Sequence, residues 1–454
     1  MTSILKWSQW MLSLEVKNEK GVWFSSLSNR GIVGWLLALF LSFGYITFYF
    51  FPEWLGLGQK GMPNTGFIAW FDQISIFFNG SVASQWFVYG FLYTLIILLM
   101  GIKFIIKYKN NNYQVIRTLS LLFFQLCFAF IIPEIMASLN QPAMDLKNMW
   151  PLNYYFFFDW NIKKLLSSGY FGLFLMFWGL ALTFIISPVL TYFYGKRWYC
   201  SWVCGCGGLA ETAGDPFRHL SDNSETAWKW ERRIIYPVLF IVCLMTLAIL
   251  DSFFRKNPAT YWITFSHFKI IILFLLAGII ALAAWNKGWL KGISTSGKWT
   301  IISLGVALFM GIIFSWSYNK PVLWINALKL REWYGFYVGA IFSGIIGVGF
   351  YPLMGSRVWC RFGCPMAAIL GIQQRFFSRF RITVNGGQCI SCGNCSTYCE
   401  MGIDVRSYAQ KGENIVRSSC VGCGICAEVC PRGVLKLENG PLFVEDGKIK
   451  FSSN

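Results

Sequence analysis

Eight cysteines towards the end of the chain repeat one spacing twice, and this is the strongest chemical signal in the sequence. Each run reads C-x2-C-x2-C-x3-C; the first begins at Cys389 and the second ends at Cys430. A tight loop with a thiolate at every third residue can point three ligands at one centre, so a fourth must come from elsewhere. The spacing predicts two [4Fe-4S] clusters, each completed by the last cysteine of the other run.

This crossing rule divides the cysteines into two predicted ligand sets. The first set is Cys389, Cys392, Cys395 and Cys430, and the second is Cys420, Cys423, Cys426 and Cys399. Zinc is the alternative metal, but zinc sites of the C-x2-C type usually need only paired cysteines. Glu400 follows the first run where Pro431 follows the second. We expect Glu400 to make the neighbouring cluster wetter or to change its reduction potential.

A second cysteine motif, G-x-R-x-[YW]-C-x3-C, also occurs twice. Its cysteines are Cys200 and Cys204 in the first copy, and Cys360 and Cys364 in the second. Cysteines four apart on a helix share one face, so each pair can offer two thiolates to one partner. If the copies meet, four thiolates converge and could hold a third iron-sulfur or other metal centre. Arg197 and Arg357 would then stabilise that anionic cofactor or its thiolates.

The spacing of the second motif leaves another interpretation equally open. The two pairs could be free or reversibly disulfide-bonded thiols that only brace helix ends, because C-x3-C is far less specific than the eight-cysteine run. Cys206 adds a spare thiol to the first copy alone. A centre formed there would therefore be asymmetric.

Composition places these cysteines on a membrane protein. The chain is 56% hydrophobic and 13% charged, whereas ordinary soluble domains are about 25% charged. Eight apolar runs are long enough to cross a hydrocarbon layer of about 30 Å. They lie at 31–51, 84–106, 118–137, 169–194, 234–254, 267–285, 299–318 and 333–354. The net charge of +18 is expected to come from loops that contact anionic lipid, since no nucleic-acid motif accompanies it.

The sequence therefore predicts a mainly α fold with a small α+β domain at its C-terminal end. The body is a polytopic helical membrane protein of about eight spans in two four-helix halves, each ending in one copy of the paired-cysteine motif. A bacterial-type ferredoxin domain with two [4Fe-4S] clusters follows. The predicted segments are an interfacial stretch at 1–30, the halves at 31–210 and 211–380, the ferredoxin domain at 381–440 and a tail at 441–454.

Basic residues indicate the orientation of the spans. Lysines and arginines concentrate in alternate loops, which predicts that those loops are cytoplasmic. An even number of spans returns the chain to its starting side, so both termini and the ferredoxin domain are predicted to face the cytoplasm of a bacterial inner membrane. Thiolates stay reduced in that compartment. The opposite loops are also partly basic, through Lys320, Lys329 and Arg331.

The two paired motifs, with Pro365 after the second, and the tandem cluster motif after the last span resemble the polytopic membrane ferredoxins of the NapH and NosR type. The related copper-handling CcoG proteins form part of the same broad group. The resemblance implies an electron-transfer protein that works between quinol or a cytoplasmic donor and a redox partner across the membrane. The CcoG branch implies a copper reductase or maturation factor instead. Gly205 stands where the family has proline in the first motif.

Other cofactors and partners are constrained by what the sequence contains. No covalent flavin is expected, because the Ser-Gly-Ala-Thr attachment motif does not occur. No haem is expected either, because the two histidines, His219 and His267, are too few for paired b-haems. The expected partners are the lipid bilayer, redox subunits and a quinol, with no nucleic acid and no substrate site of the chain's own. A redox-gated channel would need spans lined by polar residues, and these spans have few.

A quinol site would need a proton acceptor near a membrane face. Glu134, near the end of the third predicted span, is the first such residue, and Asp251 in the fifth span is the second. Interfacial carboxylates with hydrated head groups are the alternative interpretation of both.

Overall fold

The protein is described by a computed structural model that covers residues 31–59, 62–256, 264–285 and 295–439. The predicted interfacial stretch at 1–30 and the tail at 441–454 lie outside the described residues. Seven described helices are long and apolar enough to cross a membrane. They are Gly31–Phe50, Gln85–Lys107, Asn112–Ser138, Gly169–Tyr194, Glu225–Lys256, Phe265–Ala284 and Gly297–Ser317. The predicted helical membrane body is confirmed.

The outer surface of this body is apolar. Large side chains such as Phe40 and Phe274 are 73% and 77% exposed, which is unfavourable in water but suits contact with lipid. A helix satisfies all of its backbone hydrogen bonds internally, so it can expose such a surface to hydrocarbon without unpaired polar groups.

The eighth predicted span, 333–354, differs from the prediction. A helix at Ala327–Trp333 continues as a wider π-helical stretch, Tyr334–Ile346, and only a short helix, Tyr351–Met354, follows. Three charged residues, Lys329, Arg331 and Glu332, occupy the first turns of this helix. It is therefore less apolar than the seven spans, and the cytoplasmic orientation, which depended on eight equal spans, stays a prediction.

Shorter elements connect the spans and build the C-terminal domain. The short helices of the body are Gly66–Ala69, Asp72–Asn79, Asp159–Ser167, Arg197–Cys200, Gly205–Thr212 and Pro365–Phe377. Those of the C-terminal domain are Asn394–Thr397, Val405–Lys411 and Ile425–Glu428. Two antiparallel strands, Phe380–Val384 and Leu435–Asn439, pair with Phe380 opposite Asn439. The sheet thus brings the start and the end of the domain together.

The C-terminal domain packs against one end of the helix bundle. The second span ends there and the third begins there, since Tyr113 donates a hydrogen bond to the carbonyl of Gly422 at 2.9 Å. The fourth span ends there, since the carbonyl of Tyr192 accepts from the amide of Arg379 at 2.8 Å. Neighbouring spans therefore run in opposite directions, as expected when short connections join them.

One buried core is continuous between the bundle and the domain. It contains body residues such as Tyr199, Trp359 and Leu370 together with Phe380 and Val421 of the domain. Burial of shared apolar surface is the main stabilising force for such packing. The domain is therefore held as part of the body and not only joined to it by the chain.

Candidate iron-sulfur sites

The two ferredoxin loops turn in the same way. Gly393 has φ of +86° before the helix Asn394–Thr397, and Gly424 has φ of +80° before Ile425–Glu428. These left-handed conformations suit glycine, which has no Cβ to clash. Each turn places the third cysteine of its run, Cys395 or Cys426, inside the short helix that follows.

The first predicted ligand set surrounds one cavity. Cys389, Cys392, Cys395 and Cys430 all line it, together with Arg406 and Arg432. Cys392 is exposed and the neighbouring Ile390 is 54% exposed. This site therefore lies at the exposed surface of the domain.

The second predicted set surrounds a separate cavity, and none of its cysteines is exposed. Cys399, Cys420, Cys423 and Cys426 line it together with apolar residues such as Ile382 and Val421. The fourth cysteine of each run thus crosses to the cavity of the other. No group of three or more Cys, His, Asp or Glu among the described residues is placed to hold a single metal ion. A zinc ion in a four-cysteine site needs each sulfur at about 2.3 Å, so thiols spaced around a cavity fit a cluster better than a single ion.

Side chains of the body form hydrogen bonds to the loop of the second site. Five backbone carbonyls between residues 418 and 423 accept hydrogen bonds from the body. The acceptors are Ser418, Cys420, Val421, Gly422 and Cys423, and their donors are, in the same order, Lys196 (2.5 Å), Gln374 (2.9 Å), Ser201 (2.9 Å), Tyr113 (2.9 Å) and Arg117 (2.9 Å). A buried carbonyl without a partner is costly, so these bonds fix the loop on the body.

The two cysteines of each pair lie on either side of a turn. They therefore do not share one helix face, contrary to the prediction. Cys200 ends one short helix and Cys204 precedes the next; Cys360 lies in a π-helical turn and Cys364 precedes the helix Pro365–Phe377. In both copies the amide of the second cysteine donates at 2.8 Å to a carbonyl five residues earlier, that of Tyr199 or Trp359. The repeat is therefore also a structural repeat.

The two copies meet inside the shared core. All four paired cysteines are at most 7% exposed. Arg357 of the second copy donates to the carbonyl of Cys200 at 3.1 Å, and the same nitrogen lies 3.8 Å from the Cys360 sulfur. A hydrogen bond from Cys206 lowers the pKa of Cys204. Burial raises the pKa of Cys200 to about 12, so Cys204 is the more readily ionised thiol of the first pair.

Arg197 and Arg357 occupy different environments, although the repeat predicts equivalent ones. The Arg197 guanidinium lies 4.4 Å from the centre of the Phe380 ring, and its side chain packs against Gly422 of the second ferredoxin loop. The strand Phe380–Val384 follows only the second copy, so it gives Arg197 an aromatic partner that Arg357 lacks. Arg357 is the arginine that reaches the paired cysteines.

Glu400 is buried, contrary to the expectation that it would admit water. It is 1% exposed and pairs with Arg218 at 2.9 Å and Arg357 at 3.1 Å. Burial alone would disfavour the carboxylate, but Arg218, Arg357 and Arg117 outweigh burial and lower the pKa of Glu400 to about 2. Glu400 is therefore a fixed negative charge next to Cys399.

Glu211 completes this buried group of charges. Its carboxylate pairs with Arg117 at 2.7 Å and with Arg357. Sequence reasoning did not single out Glu211, Arg117 or Arg218. Their signal was their type and position: charged residues are rare in this chain, and Arg117 directly precedes an apolar run.

The predicted quinol carboxylates both have hydrogen-bond partners. Glu134 accepts from Asn79 at 2.7 Å. Asp251 is fully buried and accepts from the Trp316 indole at 2.8 Å and from Arg255 at 3.3 Å. Of the histidines, His267 contacts the Thr264 hydroxyl at 3.1 Å, and His219 lies in the short helix Asp215–Leu220.

Comparison with known proteins gives matches in both cysteine regions. A family described as "4Fe-4S dicluster domain" matches residues 388–435, and one described as "4Fe-4S binding domain" matches residues 169–223 and 335–383. The first match covers both ferredoxin runs. Each part of the second covers one copy of the paired-cysteine motif.

A relative named as an electron transport protein, YccM of Escherichia coli (strain K12), is 24% identical to this chain over 231 residues. The aligned region covers 51% of this chain, and the chain spans about half (48%) of the length of that curated relative. No solved structure matches the chain. The chain carries 4Fe-4S ferredoxin-type domains on a body of membrane-length helices, and it is similar to a curated electron transport protein.

Proposed function

We propose that this chain is a membrane-bound iron-sulfur electron-transfer protein with three cysteine sites in a row. The two ferredoxin sets hold [4Fe-4S] clusters, and the paired cysteines hold a third iron-sulfur centre where the domain meets the bundle. The observation that carries the proposal is that the second ferredoxin set and the paired cysteines lie in one buried core. Bound clusters would supply one-electron transfer at these positions.

The side chains around the sites support this division of roles. The first site is open beside Cys392 and suits contact with a redox partner. The second site has no exposed cysteine, and its loop is fixed by hydrogen bonds from the body. Arg357 touches both copies of the paired motif, and its charge would stabilise an anionic thiolate-ligated centre.

The donor and the acceptor follow from the resemblance to the NapH and NosR type. We propose that electrons pass between quinol, or a cytoplasmic donor, and a partner redox protein across the bacterial inner membrane, with the ferredoxin domain in the cytoplasm. The match of a "4Fe-4S binding domain" family to both paired-motif regions supports iron at the third site. The name of the relative, an electron transport protein, supports the general activity.

A CcoG-like role in reducing or maturing copper is the second candidate. The observation that favours it is a fifth thiol, Cys206, which packs against the same buried core as the four paired cysteines. Soft thiolates suit Cu(I). In this alternative the paired cysteines bind copper transiently and the ferredoxin domain reduces it.

The double variant Cys360→Ser/Cys364→Ser separates the two functions. We expect it to lose iron and a low-temperature EPR signal that the two ferredoxin clusters do not account for. The variant Cys243→Ser, a thiol on the exposed face of a span, is the matched control and should keep both. Unchanged iron together with lost copper binding would instead support the maturation role and refute a permanent third centre.

A further inference from the structure

Glu400 joins the ferredoxin domain to the body through charge as well as packing. It belongs to the domain, directly after Cys399, whereas Arg218 and Arg357 belong to the second half of the body, near its start and near its end. Both arginines contact its carboxylate, at 2.9 Å and 3.1 Å. Ser221 also donates to its backbone carbonyl at 2.9 Å. The segment after the first ferredoxin run is thus held by partners that are distant in sequence.

The charges around Glu400 form one buried network. Arg117, Arg218 and Arg357 share the carboxylates of Glu211 and Glu400, and all five residues are at most 2% exposed. Arg218 also pairs with Asp215, at the edge of the network, at 3.2 Å. Two arginines also keep buried nitrogens without a hydrogen-bond partner among the described residues, namely Arg117 Nε and Nη2 and Arg357 Nε. Buried polar nitrogens of charged groups are costly to leave without a partner, so an anionic group nearby would stabilise them.

This group of charges lies between two cysteine sites. Arg117 donates at 2.9 Å to the carbonyl of Cys423 in the second ferredoxin set. Arg357 reaches the Cys360 sulfur of the paired motif at 3.8 Å. Thiolate-ligated clusters are anionic, so the adjacent arginines would stabilise clusters at both sites. The cysteine sets and the arginines beside them fit such clusters.

We propose that Glu400 is a positioning residue that locks the second ferredoxin site into a socket of three arginines, and that this socket sets the reduction potentials of that site and of the paired-cysteine site together. The inference rests on the proposed function, because it assumes a redox centre at both sites. A charge in this water-poor region acts more strongly on its neighbours than a charge at the surface. The first ferredoxin site, on the open side of the domain, should respond little.

The direction of the effect follows from the charge of the electron. Reduction adds negative charge, so a more positive surrounding favours it and raises the reduction potential. Replacing Glu400 by glutamine removes one buried negative charge and keeps the shape of the side chain. The potentials of the second ferredoxin site and of the paired-cysteine site should therefore both rise.

The test is an EPR-monitored redox titration of the full-length protein, prepared without oxygen in detergent. Glu400→Gln is compared with Glu413→Gln, the same charge change at an exposed position of the same domain. We expect wild-type iron content in both variants, raised potentials for two of the three signals in Glu400→Gln, and no shift in Glu413→Gln.

A second variant makes the test independent of the folding of Glu400→Gln. Glu211→Gln removes the other carboxylate of the socket from the body side and should raise the same two potentials. Potentials equal to those of Glu413→Gln in whichever socket variant assembles would overturn the inference while the wild type still contains its clusters. An iron-free wild type would instead refute the proposed function.

Discussion

Residue scale

The eight ferredoxin cysteines differ in how far the fold encloses them. Cys392 is exposed, whereas Cys420 and Cys426 are buried against the body. Exposure to solvent controls how readily an iron-sulfur site is attacked and also contributes to its potential. The two sites should therefore behave differently although their sequence motifs are nearly identical.

We predict that iron is lost in two phases when the purified protein is exposed to air and a chelator. The first phase should release about four iron atoms from the open site, and the second, slower phase should release the enclosed iron. Iron release followed with a colorimetric chelator checks this. Cys392→Ser should remove the fast phase alone, and a single phase in the wild type would contradict the difference in enclosure.

Element scale

The helix Pro365–Phe377 links the helical body to the ferredoxin domain through the side chain of Gln374. The Gln374 amide accepts from the amide of Lys196 at 2.8 Å and donates to the carbonyls of Arg417 and Cys420 at 2.8 Å and 2.9 Å. The side chain is 2% exposed. Its three partners come from the first half, from the domain and from the loop of the second site.

Gln374→Leu should loosen that loop. The substitution leaves buried polar groups without partners, which costs about 1–3 kcal/mol for each group. We expect a lower midpoint for thermal loss of the visible iron-sulfur absorbance, with the slow phase of iron release becoming faster. Gln388→Leu, an exposed position in the domain, is the control. Equal midpoints for the two variants would show that Gln374 does not stabilise the loop of the second site.

The buried carboxylate of the fifth span has a structural explanation. Asp251 joins three segments, because it accepts from Trp316 in the seventh span, from the amide of Val322 in the following loop and from Arg255 in its own helix. These contacts explain the burial of Asp251 without a quinol, and its role as a quinol carboxylate stays a prediction.

Asp251→Asn should therefore lower stability and leave electron transfer unchanged. Removing one partner of a buried charged group typically costs about 3–5 kcal/mol. The measurement is the thermal midpoint together with the quinol-dependent reduction of the iron-sulfur signals in membranes. Glu225→Gln, at the exposed start of the same helix, serves as the control. A selective loss of quinol-dependent reduction with normal stability would give Asp251 the redox role.

Whole-molecule scale

The ferredoxin domain and the ends of several spans meet at one face of the bundle, so the orientation of the body fixes the compartment of the clusters. We predict that this face is cytoplasmic. A fluorescent protein that folds only in the cytoplasm should be fluorescent when fused after Asn454. A periplasmic phosphatase at the same position should be inactive, and the reverse pattern would contradict the proposed orientation.

The sequence predicted most of the local chemistry. The spacing of Cys389 to Cys430 was enough to predict both sets, which the structure brings to separate cavities, because the ligands of such loops are close in sequence. Seven of the eight predicted apolar runs form helices of membrane length, because apolar composition along one segment is also a local signal. The eighth helix was less well predicted, because its π-helical part and its charged first turns do not follow a simple apolar pattern.

The contacts between domain and body could not be predicted from spacing. Glu400 and Arg218 are separated by 182 residues and Arg117 and Cys423 by 306, and no motif links either pair. Glu400 was expected to make the neighbouring cluster wetter or to change its reduction potential, because it stands where the second run has Pro431. The structure buries it because three arginines from distant segments converge there. Arg197 and Arg357 occupy the same position of the repeated motif, so their different environments could not be predicted from it.

The proposed function depends most directly on the presence of iron-sulfur clusters in the full-length protein. Iron and acid-labile sulfide should be quantified in protein purified without oxygen, with EPR of the reduced sample. We predict at least about eight iron atoms per folded chain, and about twelve if the paired cysteines also hold a four-iron cluster. Protein that is folded and monodisperse but contains no iron or sulfide would contradict the account.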